Sequence, residues 1–324
     1  MAKLHLALAA ALRDHDVCTL FGVVGDANAY FVSAFADMAD TRYVSAGNEN
    51  GAVLMAIGYA MTTGDVGFCT VTHGPALTNC VTALTEGARS HTPIVLMAGD
   101  TPVADRENLQ NTDQKAVAVA AGAGFEQLRR PGTALEDLAR AVRRAKAERR
   151  PVVFNMPADF QWEDVEATHE SWDVPALGPT RIEGDALDNA VGIIAAARRP
   201  VVLAGRGAID DASRAALLRL ARRIEAPLAT TIRAKNLFRG EDHVLGVCGT
   251  VSTPQAAEIL MGADCIIAFG ASLNFHTTAE GGFVEGKRVI QVADRAEDLG
   301  VGAVADVAIL GQAAEAADTF VHWL

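Results

Sequence analysis

Three turns within the first eighty residues gather side chains that can carry protons or make hydrogen bonds. Glu49 stands where a short apolar stretch, Tyr43-Val44, passes through Gly47-Asn48 into a helix on which Val53, Ala56, Ile57 and Ala60 recur at helical spacing. Carboxylates are rarely buried without a partner. One inside a glycine- and alanine-rich run either favours the positive end of the helix or performs chemistry. The apolar residues 20–24, ending in Val24, lead into Gly25-Asp26-Ala27-Asn28. The apolar residues 67–72 lead into His73-Gly74-Pro75, and Asn79 follows four residues later. An imidazole at such a turn suits proton transfer near neutral pH or caps the turn. Gln110 and Gln114 flank a further polar loop whose amides are suited to hydrogen-bond a substrate or a neighbouring subunit.

The elements that must position these groups alternate. Strand-like runs at 20–24, 67–72, 93–98 and 150–157 are separated by helical stretches, among them 80–89. The second half repeats the rhythm with helices at 186–197 and 211–225 and strands at 200–204, 227–232, 265–269 and 288–292. Strands alternating with helices predict an α/β chain with two doubly wound parallel-sheet domains. In such sheets ligands sit outside the carboxyl ends of the strands, so Gly25, Glu49 and residues 73–79 are candidates for one shared site. A charged, proline-bearing stretch at 166–185 reads as the linker between a domain at 1–165 and another at 186–324.

The order of these motifs resembles a known family. Phe21-Gly-Val-Val-Gly25, Asn48-Glu49-Asn-Gly-Ala52, Gly58-Tyr-Ala60, His73-Gly-Pro-Ala-Leu-Thr-Asn79, Pro93-Ile-Val-Leu96 and Gln110-Asn-Thr-Asp-Gln114 look like the pyrimidine-binding domain of thiamine-diphosphate enzymes. The acetolactate synthase, pyruvate oxidase and benzoylformate decarboxylase group is the nearest likeness. No single motif decides this, but six in the right order are specific. The second half resembles the Rossmann-like central domain of the same enzymes.

The resemblance implies that Glu49 hydrogen-bonds the aminopyrimidine ring and favours the imino form that activates the thiazolium carbon. It implies a cofactor-binding set of Val24, Gly25, Glu49, Pro75 and Asn79, and a substrate side of Asp26, His73, Gln110 and Gln114. Glu49 and His73 are the catalytic candidates. The implied reaction is decarboxylation of a 2-oxo acid, carboligation of the resulting carbanion, or both. Position 26 is Asp, not the glycine frequent in acetolactate synthases, which weakens transfer of that particular activity. Which 2-oxo acid is used, and whether the outcome is that of a lyase or a transferase, is not legible.

The family binds the cofactor's diphosphate through Mg²⁺ on a third domain marked by Gly-Asp-Gly. None of the four Gly-Asp pairs in this sequence, at 25, 64, 99 and 184, is followed by glycine. The first expectation is therefore a split enzyme. In it this chain forms a homodimer, shares thiamine diphosphate with a second subunit that holds the Mg²⁺, and itself ligates no metal. A non-catalytic binding or regulatory relative and a fragment of a longer enzyme are the alternatives. Gly205-Arg-Gly207-Ala208 after a strand admits a nucleotide such as FAD or ADP in the central domain. Asp210 stands where the dinucleotide fingerprint has its third glycine, so this is the lesser expectation.

Composition fits these readings. Half of the 324 residues are hydrophobic, enough for two cores. A net charge of −12 argues against nucleic acid as a partner. No apolar run is long enough to span a membrane, and residues 1–12 read as a helix rather than an export signal. The five cysteines show no CxxC pairing, and Cys69 and Cys265 lie in apolar runs. They read as free thiols of a reducing compartment, which makes the chain cytoplasmic.

Overall fold

The structure is a computed structural model that describes every residue except Arg106, Ala167, Ala176, Leu177 and Pro179. The expected linker at 166–185 falls outside the described residues at 167, 176, 177 and 179. The chain forms two compact units, Met1–Ala176 and Leu177–Leu324.

In chain order the first unit runs β1 (Ala2–Lys3), α1 (Leu4–Asp14), β2 (Thr19–Gly22), α2 (Ala29–Ala36), β3 (Arg42–Ser45), α3 (Glu49–Thr63), β4 (Gly67–Val71), α4 (Pro75–Thr78), α5 (Val81–Arg89), β5 (Ile94–Asp100), α6 (Gln114–Ala120), β6 (Gly124–Gln127), α7 (Ala134–Glu148), β7 (Val152–Pro157) and β8 (Asp164–Val165). Its main sheet has the order β3-β2-β4-β5-β7-β6 and is parallel throughout. Helices cover both faces, so the central strands are apolar along their whole length. Successive side chains alternate between the faces. Val95, Met97, Val152 and Phe154 point to the core under α1, α2 and α7, while Ile94, Leu96, Ala98 and Val153 point to the core under α3, α5 and α6. The strands β1 and β8 pair antiparallel, Ala2 opposite Val165, in a separate small ribbon.

The second unit runs α8 (Asp185–Ala196), β9 (Pro200–Ala204), α9 (Asp211–Arg223), β10 (Leu228–Thr230), β11 (Val244–Val247), α10 (Pro254–Gly262), β12 (Cys265–Phe269), β13 (Arg288–Ala293), β14 (Val307–Leu310) and α11 (Ala313–Trp323). Its parallel sheet has the order β11-β10-β9-β12-β13-β14. The same alternation sends Val202, Ile267 and Ile290 to one core and Val201, Ile266 and Val289 to the other. Both units are thus the α/β, doubly wound folds that the strand–helix rhythm predicts.

Each sheet reverses its winding beside its first strand, and the first sheet turns back again from the edge strand β6 to β7. In the first unit the chain leaves β2 toward β3 on one side and leaves β4 toward β5 on the other, with α2 and α5 on opposite faces. The reversal therefore lies between the carboxyl ends of β2 and β4. In the second unit it lies between β9 and β12.

Candidate functional site

The turn after β3 delivers Glu49 to the first position of α3. The Asn48 side chain caps that helix by accepting the Gly51 N–H at 2.7 Å, and Gly64 closes it in the left-handed conformation. Glu49 is half-buried, and its Oε2 accepts a hydrogen bond of 3.1 Å from Asn79 Nδ2. Asn79 itself is exposed at the end of α4. The neighbouring Asn50 accepts the Ala83 N–H at 2.9 Å and so ties the start of α3 to the first turn of α5. Two of the expected residues, Glu49 and Asn79, are therefore in direct contact. Beneath them the Cys80 thiol is pushed up to about 12, by burial first and by the Glu49 charge second.

The turns after β2 and β4 meet at the sheet's reversal. Asn28 is fully buried and holds the first turn by accepting the Gly25 N–H at 2.7 Å. Its own amide donates to Val23 O and Thr70 Oγ1, both at 3.1 Å. Gly25 leaves no room for a side chain: a Cβ there would lie 2.6 Å from the Cβ of Thr72. Thr72 Oγ1 in turn lies 2.9 Å from Asp26 Oδ1 and 3.0 Å from His73 Nδ1. The His73 side chain is buried, at 4 % exposure, while the Asp26 side chain is 74 % exposed. Val24 and Pro75 are exposed beside these turns.

Gly74 has φ +59°, and a Cβ there would meet the Gln110 carbonyl oxygen at 2.0 Å. Only glycine accepts both the positive φ and that approach. Its N–H is held by Gln114 Oε1 at 2.8 Å. The Gln114 amide nitrogen donates to Gly99 O at 2.8 Å and to Asn155 Oδ1 at 2.5 Å. Asn155 donates onward to Asp100 Oδ2 and Gln127 Oε1. Gln114 is only 3 % exposed and both ends of its amide are engaged within the fold, whereas Gln110 is exposed. The two glutamines that flank the loop therefore differ in kind: one braces the Gly74 turn and one is open to solvent.

Sequence reasoning did not single out Thr72, Asn50, Asn155 or Gln161, whose Nε2 donates to Ala27 O at 2.5 Å. The available signal was polarity inside an apolar strand, as at Asn155, because a buried amide must find partners. Among the described residues no group of three or more His, Cys, Asp or Glu is placed to hold a metal ion. None of their helices is long and apolar enough to cross a membrane.

Comparison with known proteins finds a family model within each unit. Residues 2–121 match the family model of the thiamine pyrophosphate enzyme N-terminal TPP binding domain, and residues 187–320 match that of the thiamine pyrophosphate enzyme central domain. Among curated relatives, a sulfoacetaldehyde acetyltransferase of Rhodobacter capsulatus is 28% identical over 278 residues, covering 83% of this chain and 46% of the relative. A probable acetolactate synthase large subunit of Methanocaldococcus jannaschii is 29% identical over 321 residues, covering 95% and 54%. A glyoxylate carboligase of Escherichia coli O157:H7 is 27% identical over 333 residues, covering 99% and 56%. The chain spans about half the length of these relatives. With the carboxylate, the turns and both matched domains in place, the chain belongs to the thiamine pyrophosphate enzyme family.

Proposed function

We propose that this chain supplies the pyrimidine side of the active site in an enzyme that decarboxylates a 2-oxo acid, joins the resulting fragment to an acceptor, or does both. The observation that carries the reading is Glu49, half-buried at a helix N-terminus with Asn79 as its side-chain donor. A carboxylate accepts up to about four hydrogen bonds, so the Asn79 contact leaves capacity for a ring N–H. The residues present therefore fit the aminopyrimidine of thiamine diphosphate. Glu49 would accept from it and share a proton with it. Val24, Gly25 and Pro75 would line the ring's surroundings. Asp26, His73 and Gln110 would face the substrate, with Gln114 bracing the Gly74 turn behind them. When bound, the cofactor supplies a nucleophilic carbon that takes up and stabilises the electrons released from the oxo acid.

The names of the relatives, a synthase, a carboligase and an acetyltransferase, support transfer to an acceptor. Mg²⁺ and the diphosphate would be held by a domain from a second polypeptide or from chain beyond these 324 residues, and a homodimer of this chain in the cytoplasm would recruit it. Titration calorimetry tests the division. The chain alone should bind thiamine diphosphate weakly and show no decarboxylation, and addition of the complementary domain with Mg²⁺ should restore both. Tight Mg²⁺-dependent binding by the chain alone would overturn it.

A further inference from the structure

The hydroxyl of Thr72 sits at the centre of the reversal between β2 and β4 with three polar neighbours. The Ala27 N–H donates to it at 3.2 Å, Asp26 Oδ1 lies at 2.9 Å and His73 Nδ1 at 3.0 Å. A hydroxyl has one proton to give and two lone pairs to receive with. The Ala27 N–H, shared with Asp26 Oδ1 at 3.0 Å, is directed at one lone pair. An ionised Asp26 only accepts, so the hydroxyl proton points to Asp26 Oδ1. One lone pair remains, and His73 Nδ1 satisfies it only by donating. Nδ1 also lies 3.4 Å from Asp26 Oδ1, which favours a proton on that side of the ring. Among the described residues the opposite nitrogen, Nε2, has no hydrogen-bond partner.

We propose that Thr72 is a positioning residue that fixes neutral His73 as the Nδ1–H tautomer and leaves Nε2 as the proton-accepting nitrogen. Asp26 acts through it twice: it fixes the direction of the hydroxyl, and it balances the charge that appears when Nε2 takes a proton. The ring nitrogens are distinct in role, and the bond made by one decides what the other can do. Gly25 belongs to the same device, because only a residue without a side chain lets the Thr72 side chain cross from the β4 turn to the β2 turn. The part that Nε2 plays toward substrate rests on the function proposed above. The tautomer itself does not.

The test reads the tautomer directly, on the ¹⁵N-labelled chain without cofactor. Long-range ¹H–¹⁵N correlation of the imidazole rings, with His73 assigned from the signal lost in His73→Gln, should show Nδ1 protonated and Nε2 bare. Thr72→Val removes the acceptor at nearly constant volume and should shift the ring toward the Nε2–H tautomer, and Thr72→Ser should restore the native pattern. Asp26→Asn can donate to the hydroxyl, turn its proton toward Nδ1 and produce the same inversion. A proton on Nε2 in the native chain, or an unchanged pattern in Thr72→Val, overturns the proposal. In the assembled enzyme Thr72→Val should lower kcat while leaving cofactor binding in place. If the spectra behave as stated but neither Thr72→Val nor His73→Gln alters kcat, the tautomer stands and the substrate role of His73 falls.

Discussion

Both units reverse the winding of their sheets beside the first strand, and they close that reversal in opposite ways. Between β2 and β4 the turns meet through side chains, with Thr72 reaching over Gly25 to Asp26 and His73 beside them. Between β9 and β12 they meet through backbone. The Gly205 N–H donates to Phe269 O at 2.8 Å and the Gly207 N–H to Gly270 O at 3.1 Å. A Cβ on Gly205 would lie 2.2 Å from Gly270 O. Nearby, Gln291 is fully buried and joins Ala271 O, Asp298 O and the Gly300 N–H. The crevice outside such a reversal is the general place for a ligand in open α/β sheets, yet position alone does not make a site. Glycines can serve side chains that do chemistry or serve contact between two strands' turns. Gly205 and Gly207 are accounted for by that contact, so by themselves they do not argue for a nucleotide.

The largest effect that sharpens this contrast should come from Glu49→Gln. Shape and most hydrogen bonding survive, while the ionisable proton is lost. Turnover of the assembled enzyme should fall by roughly 10² or more, the scale of general acid–base effects, with an unchanged circular dichroism spectrum. Wild-type turnover in this variant would remove Glu49 from the chemistry.

A matched pair of glycine substitutions breaks the comparison more finely. Gly25→Ala and Gly205→Ala both force a Cβ into occupied space, and each should cost about 1–3 kcal/mol as overpacking does. Hydrogen exchange should localise the loss to the first unit in one case and to the second in the other. Only Gly25→Ala should disturb cofactor binding and turnover in the assembled enzyme. Equal loss of activity in both would mean that the second reversal also serves the site.

Acid should separate the units next. In the second unit burial raises the Asp264 carboxyl, but the N–H groups of Arg198 and Arg199 outweigh it and hold it below its ordinary 3.8. Asp306 is held down against burial by the Val289 N–H and Arg288, and Asp210 by Ser213. In the first unit Glu148 is held down, again against burial, by Arg144 and Arg150. A carboxyl depressed in the fold stabilises fully above its unfolded value, and that contribution fades as pH falls through the native one. With three such aspartates to one such glutamate among the described residues, the second unit should open first below about pH 4, the ordinary carboxyl range. Exchange measured unit by unit at falling pH checks this, and simultaneous opening would refute it.

The smallest effect is in thiol reactivity. Burial raises Cys69 well above its usual range and pushes Cys80, Cys248 and Cys265 up to about 12, whereas Cys18 is exposed. Because the thiolate is the nucleophile, a disulfide reagent at neutral pH should modify one thiol quickly in the native chain and the rest only on unfolding. Fast labelling of Cys80 would show that the floor under Glu49 is open.

Much of the fold was legible because buried parallel strands are continuous apolar runs, as at Gly67–Val71 and Cys265–Phe269. The strands of the two main sheets that escaped were short and partly exposed. They are Gly124–Gln127 and Val244–Val247 at sheet edges and Val307–Leu310, where every second residue faces solvent. The doublet Arg143-Arg144 reads as surface charge, yet Arg144 pairs with Glu126 and Glu148 at 2.7 Å and fastens α7 to β6. In the site, Glu49 announced itself as an acid in an apolar turn. Thr72 did not, because a threonine before a histidine is ordinary until two strands distant in sequence bring Asp26 to it. Gln114 looked like its neighbour Gln110, and only the packing of β5 and β7 above α6 separates them.

The small ribbon of β1 and β8 has a consequence of its own. Ala2 lies opposite Val165, and Lys3 grips Asp164 at 2.9 Å, so two segments more than a hundred and fifty residues apart in sequence are clasped together beside the main sheet. A chain held in this way is a long loop closed by a clasp. A cut at the exposed Gly64-Asp65 turn divides no strand, so a chain nicked there should stay in one piece, its two fragments held by the sheet and by the clasp.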